Sequence, residues 1–247
     1  MFNSADIEAI ERATVAAVSP SAVDELDGWL LPFDIGSIGR AKSAVPLRHE
    51  RCAASMLDAI EARYRARQLP TVFRIPDVAP MEPLRVSLRE RGYASAKPTL
   101  VMTGSCEAMR GVSDATPAEV SAKPDDAWAG VFLGEGFDSV DGANRVRAFS
   151  RAADALFASV REEGKTLAVG VVAFGHGWAS VHGMRTVREQ RGAGLARRVL
   201  AGLALAALDR GVRRVFLQVE EGNAPARALY RRAGFELAWR YVYWSKG

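Results

Sequence analysis

Apolar residues along the chain first follow a helical period. Ile7, Ile10, Ala13, Val15 and Ala17 are spaced by Glu8, Glu11 and Arg12, which predicts an amphipathic helix over 4–18 ended by Pro20. Residues 28–33 and 41–47 read as two short strands around a Gly36/Gly39 turn. A long helix over 49–67 stops at Pro70, a strand over 71–75 ends at Pro76, a helix over 81–91 ends at Gly92, and 98–103 gives another strand. Gly, Ser, Asp and Pro dominate 104–126, which reads as a linker, and 127–162 reads as helical in pieces. The texture then changes. The Val-rich run 167–174 and the segment 179–187 flank a Gly175-His176-Gly177 turn as two strands. A strongly apolar-faced helix over 193–210 closes at Gly211, followed by a strand (214–220), a helix (224–233) and a last strand (235–244). Strand-strand-helix-strand-helix-strand implies an α/β (α+β) domain with a mixed sheet.

The end of the first half echoes that of the second. Leu88-Arg89-Glu90-Arg91-Gly92-Tyr93 parallels Tyr230-Arg231-Arg232-Ala233-Gly234-Phe235, each a helix, a glycine, an aromatic and a strand. Duplication of one fold accounts for such an echo.

Composition narrows the function classes. With 49% hydrophobic and 25% charged residues among 247, the chain has the make-up of a globular protein with a substantial core. A net charge of +4 and a pI of about 9.3 suit a polyanionic ligand, but the Lys and Arg residues are scattered, which favours a mildly basic solvated surface over a nucleic-acid face. Cys52 and Cys106 form no framework and no metal-ligand spacing, so no metal is expected, and a reduced cytoplasmic compartment is. No apolar run is long enough for a membrane span, and the N-terminus does not read as a secretion signal.

Candidate chemistry gathers between 178 and 235. The turn Gln190-Arg191-Gly192-Ala193-Gly194-Leu195-Ala196 lies between a predicted strand and a predicted helix. Glycines there let the backbone approach a bulky anion, and the free amides and dipole of the helix start favour a pyrophosphate. It is neither a Walker turn nor a dinucleotide fingerprint. Taken alone, a glycine-assisted helix start with no ligand explains it as well.

Together with the residues downstream of it, the turn resembles the GNAT superfamily of acetyl-CoA-dependent N-acetyltransferases. Arg191, Gly194 and Ala196 meet the family's Arg/Gln-x-x-Gly-x-Gly/Ala pattern. A strand, Asn223, the Leu229-Tyr230 pair and Gly234-Phe235 come next, in the family's order. The resemblance covers roughly 112–247, and the first half resembles a degenerate second copy, as in tandem members. It implies a mixed, mostly antiparallel sheet flanked by helices, with a GNAT-like N-terminal domain over 1–110 and a catalytic domain over 111–247.

It further implies that acetyl-CoA lies between two splayed parallel strands. Backbone groups of Met184, Arg185 and Thr186 would meet the pantetheine arm, residues Arg191, Gly192, Ala193, Gly194, Leu195 and Ala196 the pyrophosphate. Asn223 would contact the cosubstrate or cap the next helix. Tyr230 would protonate the leaving thiolate. Many relatives carry a general base five residues before the Asn, where this chain has Gln218, which cannot act as one. Glu220, on the same strand face, and His182, on the other central strand, are the alternatives. A structural histidine and an exposed strand-end carboxylate are the competing readings of those two. Trp29 and the segment Arg40-Ala41-Lys42-Ser43 are candidates to line an acceptor cleft, whereas Trp239, Tyr241 and Tyr243 fit core packing better. The expected reaction is acetyl transfer to a primary amine of a small molecule or amino acid by direct attack, in a monomer or homodimer. Acetylation of a protein N-terminus or lysine and non-catalytic coenzyme A binding are the alternatives. No nucleic-acid or membrane partner is expected.

Overall fold

The computed structural model describes residues 3–247. Its first helix, α1 (Ser4–Val18), starts where the Asn3 side chain accepts the Asp6 amide at 2.8 Å, satisfying one of the orphan donors of the first turn. It ends at Ser19, in the left-handed region, ahead of Pro20. Asp27 and Gly28, both at positive φ, then form a tight hairpin between β1 (Ala22–Leu26) and β2 (Trp29–Phe33). The expected strand over 41–47 is instead a 3-10 turn, Gly39–Ala41, followed by the two-residue β3 (Val45–Pro46).

Next come α2 (Ser55–Ala66), β4 (Val72–Pro76), α3 (Glu82–Glu90), β5 (Ala94–Ser105) and α4 (Cys106–Arg110). The stretch read as a linker thus holds the end of a long strand, a short helix and an edge strand, β6 (Glu119–Ser121). Two helices, α5 (Asp126–Leu133) and α6 (Ser139–Ser150), occupy most of the region read as helical, but its end is a strand, β7 (Ala155–Glu162). The rest has the expected order: β8 (Lys165–Gly175), β9 (Trp178–Thr186), α7 (Leu195–Asp209), β10 (Arg214–Glu220), α8 (Ala224–Arg232) and β11 (Glu236–Ser245).

Among the described residues an eight-stranded sheet, in the order β4-β11-β5-β10-β9-β8-β7-β6, carries the fold, and β9–β10 is its one parallel pair. The sheet is therefore mixed and mostly antiparallel, as expected. The strands of the two halves interleave: β5 pairs with β10, while β11 runs between β5 and β4. The small β1-β2-β3 sheet joins the edge through Ala44, which bridges Phe73.

Helices cover both faces. On one, Val199, Leu200 and Leu203 of α7 and Tyr230 of α8 pack over Val172, Val181, Val215, Leu217 and Val219. Each such fully buried aliphatic side chain stabilises the fold by about 1.5–3 kcal/mol relative to exposure. On the other, Ile7, Ile10 and Ala13 of α1 meet Val101, Trp178, Phe216, Trp239 and Tyr241, with a neighbouring cluster of α5 and α6 around Trp128, Phe132 and Phe149. Alternate residues of β10 consequently face opposite layers, and this places the site.

Candidate active site

The parallel pairing of β9 and β10 is short. Val215, Phe216 and Leu217 face Ala179, Ser180 and Val181, and there the ladder ends. A bulge in β9 explains the parting. His182 lies opposite Val171 and Arg185 opposite Val169, so Gly183 and Met184 share the place of one partner residue. Gly183 has φ +59°, and a Cβ there would stand 2.9 Å from the Phe149 ring, so glycine is required on both counts. The strands splay beyond this point and leave backbone groups of 182–186 and 218–220 along a cleft of about 810 Å³.

The glycine turn sits at the wide end of this cleft. Gly192 and Gly194 have φ of +86° and +83°, and Gly194 caps α7 without any side-chain hydrogen bond. The amides of Leu195 and Ala196 therefore remain open at the positive end of the helix dipole, whereas Ala193 donates to Gln190 and Arg197 to Gly194. Arg191, Gly192, Gly194, Leu195 and Ala196 line the cleft, while Ala193, from the same turn, does not. Met184, Arg185, Thr186, Asn223, Tyr230, Glu220 and His182 line it too. The Asn223 side chain accepts the Ala226 amide at 3.2 Å, capping α8, and Pro225 fits its first turn.

Tyr230 is 8% exposed, on the α7 face, with its ring edge-on to Phe235. Its hydroxyl makes no hydrogen bond among the described residues, and burial pushes its pKa up to about 12, so at neutral pH it holds a proton it can donate. His182 projects to the opposite face, beside Phe149 and Phe216. It is 3% exposed, neither ring nitrogen has a partner, and burial followed by the nearby Arg40 charge holds its pKa well below the usual imidazole value. Glu220 is exposed at the cleft's mouth.

Gln218, which occupies the position where a base was sought, is fixed in a polar network. Its Nε2 donates to Thr14 Oγ1 at 2.9 Å, and its Oε1 accepts from Tyr241 Oη at 2.8 Å and Arg40 Nη1 at 3.4 Å. Behind it, Arg74 and Glu11, each 1% exposed, pair at 2.5 Å. Tyr241 and Trp239 belong to the core against α1, as their alternation suggested. Trp29 is a correction: it packs in the first-half core edge-on to Phe73 and does not reach the cleft, whereas Arg40 does. Sequence reasoning missed Phe132, Phe137 and Arg145, which line the cleft from the α5–α6 region. His176 is exposed in the β8–β9 turn. The described residues hold no cluster of three or more His, Cys, Asp or Glu placed to bind a metal, and no helix long and apolar enough to cross a membrane.

A mostly antiparallel sheet opened at one parallel pair, with a glycine turn capping the next helix, defines a GNAT-type N-acetyltransferase. Within that class the chain belongs to the family described as "Probable histone acetyltransferase Rv0428c C-terminal", whose profile matches residues 4–244. It is 26% identical over 235 residues to an uncharacterized N-acetyltransferase, YobR, of Bacillus subtilis, covering 93% of this chain and 94% of that one. Among solved structures, a GCN5-related N-acetyltransferase from Kribbella flavida superposes with a TM-score of 0.72 at 19% identity, over 100% of this chain and 96% of that one. A tandem GNAT protein from the clavulanic acid biosynthesis pathway gives 0.60 at 15%, over 98% and 96%.

Proposed function

We propose that this enzyme moves an acetyl group from acetyl-CoA to a primary amine of a small molecule or amino acid. The observation that carries the reading is the splay of β9 from β10 beyond Val181 and Leu217, with the open-amide turn at its wide end. The fit to a nucleotide-pyrophosphate-pantetheine ligand is good on this chain's own geometry. The left-handed φ of Gly192 and Gly194 keeps Cβ atoms out of the cradle, and the unpaired strand edge of 184–186 offers main-chain groups to an extended amide-bearing arm.

In this reading Arg191 and the amides of Gly192, Gly194, Leu195 and Ala196 hold the pyrophosphate, the edges of Met184, Arg185 and Thr186 hold the pantetheine, and Asn223 borders it. Bound acetyl-CoA supplies a thioester whose carbonyl carbon forms a bond to the amine nitrogen as its bond to sulfur breaks. Tyr230, kept protonated by burial, donates its proton to the departing sulfur. The amine gives up its proton to a group on the acceptor side. Two residues face that side with acceptor atoms free: Glu220 at the mouth, directly or through water, and His182 deeper in, held neutral. Gln218 is a positioning residue, since its amide is occupied by Thr14 and Tyr241.

Acetylation of a protein lysine or N-terminus is the second reading, favoured by the family's description as a probable histone acetyltransferase. Against it stands the positive wall that Arg40 of the Gly39–Ala41 turn and Arg145 of α6 set along the cleft, near the point where Ser37 Oγ donates to Asp141 at 2.7 Å. Coenzyme A release, measured by thiol detection across a panel of small amines, amino acids and histone peptides, decides between them. Turnover with small amines supports the reading; turnover confined to peptides overturns it. Acetyl-CoA binding without turnover by any amine points instead to a non-catalytic module.

A further inference from the structure

The cleft is electrostatically lopsided. Glu220 is the sole carboxylate among its lining residues, against six arginines. Arg191, Arg197 and Arg232 belong to the turn and helix ends that suit phosphates, but Arg40, Arg145 and Arg185 come from the acceptor side. Two of these are already engaged. Asp141 accepts from Arg145 Nε at 2.6 Å and lies 3.4 Å from Arg185. Arg185 is also stacked on the Phe137 ring.

Arg40 is different. Among the described residues it has no ion pair with a carboxylate, and its polar partner is the Gln218 oxygen at a long 3.4 Å. The nearest acid of the interior, Glu11, is taken by Arg74 at 2.5 Å. Burial works against the Arg40 charge, and the positive Arg145 and Arg74 add to that, while the phenol of Tyr241, held protonated by its own burial, supplies no counter-charge. Arg40 is half-buried along the cleft wall, and a partly desolvated guanidinium with no carboxylate partner gains from an arriving anion. Its position is fixed as well. The 3-10 turn presses onto β11 so closely that a Cβ on Gly39 would stand 2.9 Å from the Tyr243 ring.

We infer that the acceptor is a small amine that itself carries a carboxylate, and that Arg40 is the residue that reads it. The inference rests on the acetyltransferase reading of the same cleft and deepens it by naming the acceptor's second group. A planar guanidinium matches a carboxylate through two parallel hydrogen bonds, and the neutral His182 beside it adds no competing charge. A lysine-rich peptide brings further cations to a wall of arginines and is disfavoured by the same charges.

The test separates the two claims. Calorimetry on the protein saturated with coenzyme A measures binding of a panel of N-acetyl-L-amino acids and of their methyl esters, which keep the shape and lose the charge. At least one acid is expected to bind about 10- to 100-fold more tightly than its ester. That gap closes in Arg40→Met and partly returns in Arg40→Lys, with both variants checked for the native melting transition. Equal binding of acids and esters, no binding of either, or a gap that persists in Arg40→Met overturns the inference. Coenzyme A release from acetyl-CoA with the matching free amino acids is measured alongside. If the acids bind through Arg40 yet no amine releases coenzyme A, the acetyltransferase reading fails and the carboxylate site stands. Release with neutral amines as efficient as with amino acids sinks the carboxylate and leaves acetyl transfer intact.

Discussion

Two helix-glycine-strand closures lie next to one another in the sheet, and they are built alike. In the first half the amide of Tyr93 donates to Leu88 and that of Gly92 to Arg89, both at 3.0 Å; in the second, Phe235 donates to Tyr230 at 3.0 Å and Gly234 to Arg231 at 3.1 Å. Gly92 and Gly234 share a φ of +81°, and the strands that they lead into, β5 and β11, pair antiparallel. Yet Leu88, fully buried, stands where the second closure has Tyr230 at the edge of the cleft. Nor has the first half a counterpart of the 190–196 turn: α2 starts after Ala54 with neither a side-chain cap nor a glycine. The shared geometry shows that the closure serves the fold, and in the proposed function the second closure differs by a phenol and a pair of glycines on the cleft.

The largest expected effect breaks the pair apart by function. Tyr230→Phe is expected to lower kcat about 10²- to 10⁴-fold while the melting temperature barely moves, because its hydroxyl leaves no partner behind. Leu88→Ala, at the matching place, should cost about 2–5 kcal/mol of stability and leave kcat per folded molecule unchanged. Urea denaturation beside coenzyme A release reads both; similar kcat losses in the two variants would end the distinction.

Glycines sharpen the same contrast. Gly194→Val forces a β-branched residue to φ +83° at the open end of α7, with strain of about 1–2 kcal/mol, and should weaken coenzyme A binding by at least about tenfold in calorimetry. Gly92→Val meets nearly the same backbone angle, +81°, with open space around the added Cβ. It should lower stability by a similar amount and leave coenzyme A affinity where it was.

How much of this was legible in the sequence tracks the same divide. The turn, Asn223, Tyr230 and the strands around them are local patterns, and all lie on the cleft. Their meaning comes from neighbours a few residues away, which a sequence displays. Long-range placement was hidden. Nothing in 94–105 signals that this first-half strand pairs with β10, since register between distant strands is a tertiary choice. The strand Ala155–Glu162 read as helix because Ala, Leu and Arg favour helices, and pairing with β8 overrides that preference. The hairpin strand Ala22–Leu26 escaped notice because Asp24 and Glu25 mask its alternation. Arg145 and Phe137 carry no local signature at all. The polar clamp on Gln218 needs Thr14, Arg40 and Tyr241, drawn from three distant segments.

Acid titration compares the halves through one histidine each. His49 sits edge-on to Trp239 with its pKa lowered to about 4 by burial and then by Arg74, and His182 is held well below the usual value by burial and then by Arg40. A depressed folded pKa means that the unfolded chain binds the proton more readily. Stability is therefore full above the unfolded value of about 6.5 and falls as the pH drops through it, by up to about 1.4 kcal/mol per pH unit for each histidine. Denaturation midpoints between pH 7 and 4 should show this slope, and His49→Gln or His182→Gln should each remove part of it. The His49 share should level off near pH 4 while the His182 share continues downward. A flat profile in the parent protein would count against both burials.

The smallest effect concerns how the two closing helices begin. Each has a proline in its first turn, but α3 starts after Met81 with no side-chain cap, whereas Asn223 caps α8. Asn223→Ala should therefore cost about 1 kcal/mol, and Asn223→Asp should retain the cap and most of the stability. Coenzyme A affinity separates capping from contact. If Asn223 only caps, Asp restores binding together with stability. If its amide also borders the ligand, Asp restores stability alone, because a carboxylate beside an anionic ligand repels it. That split between two readouts of one substitution would place Asn223 in both the fold and the site.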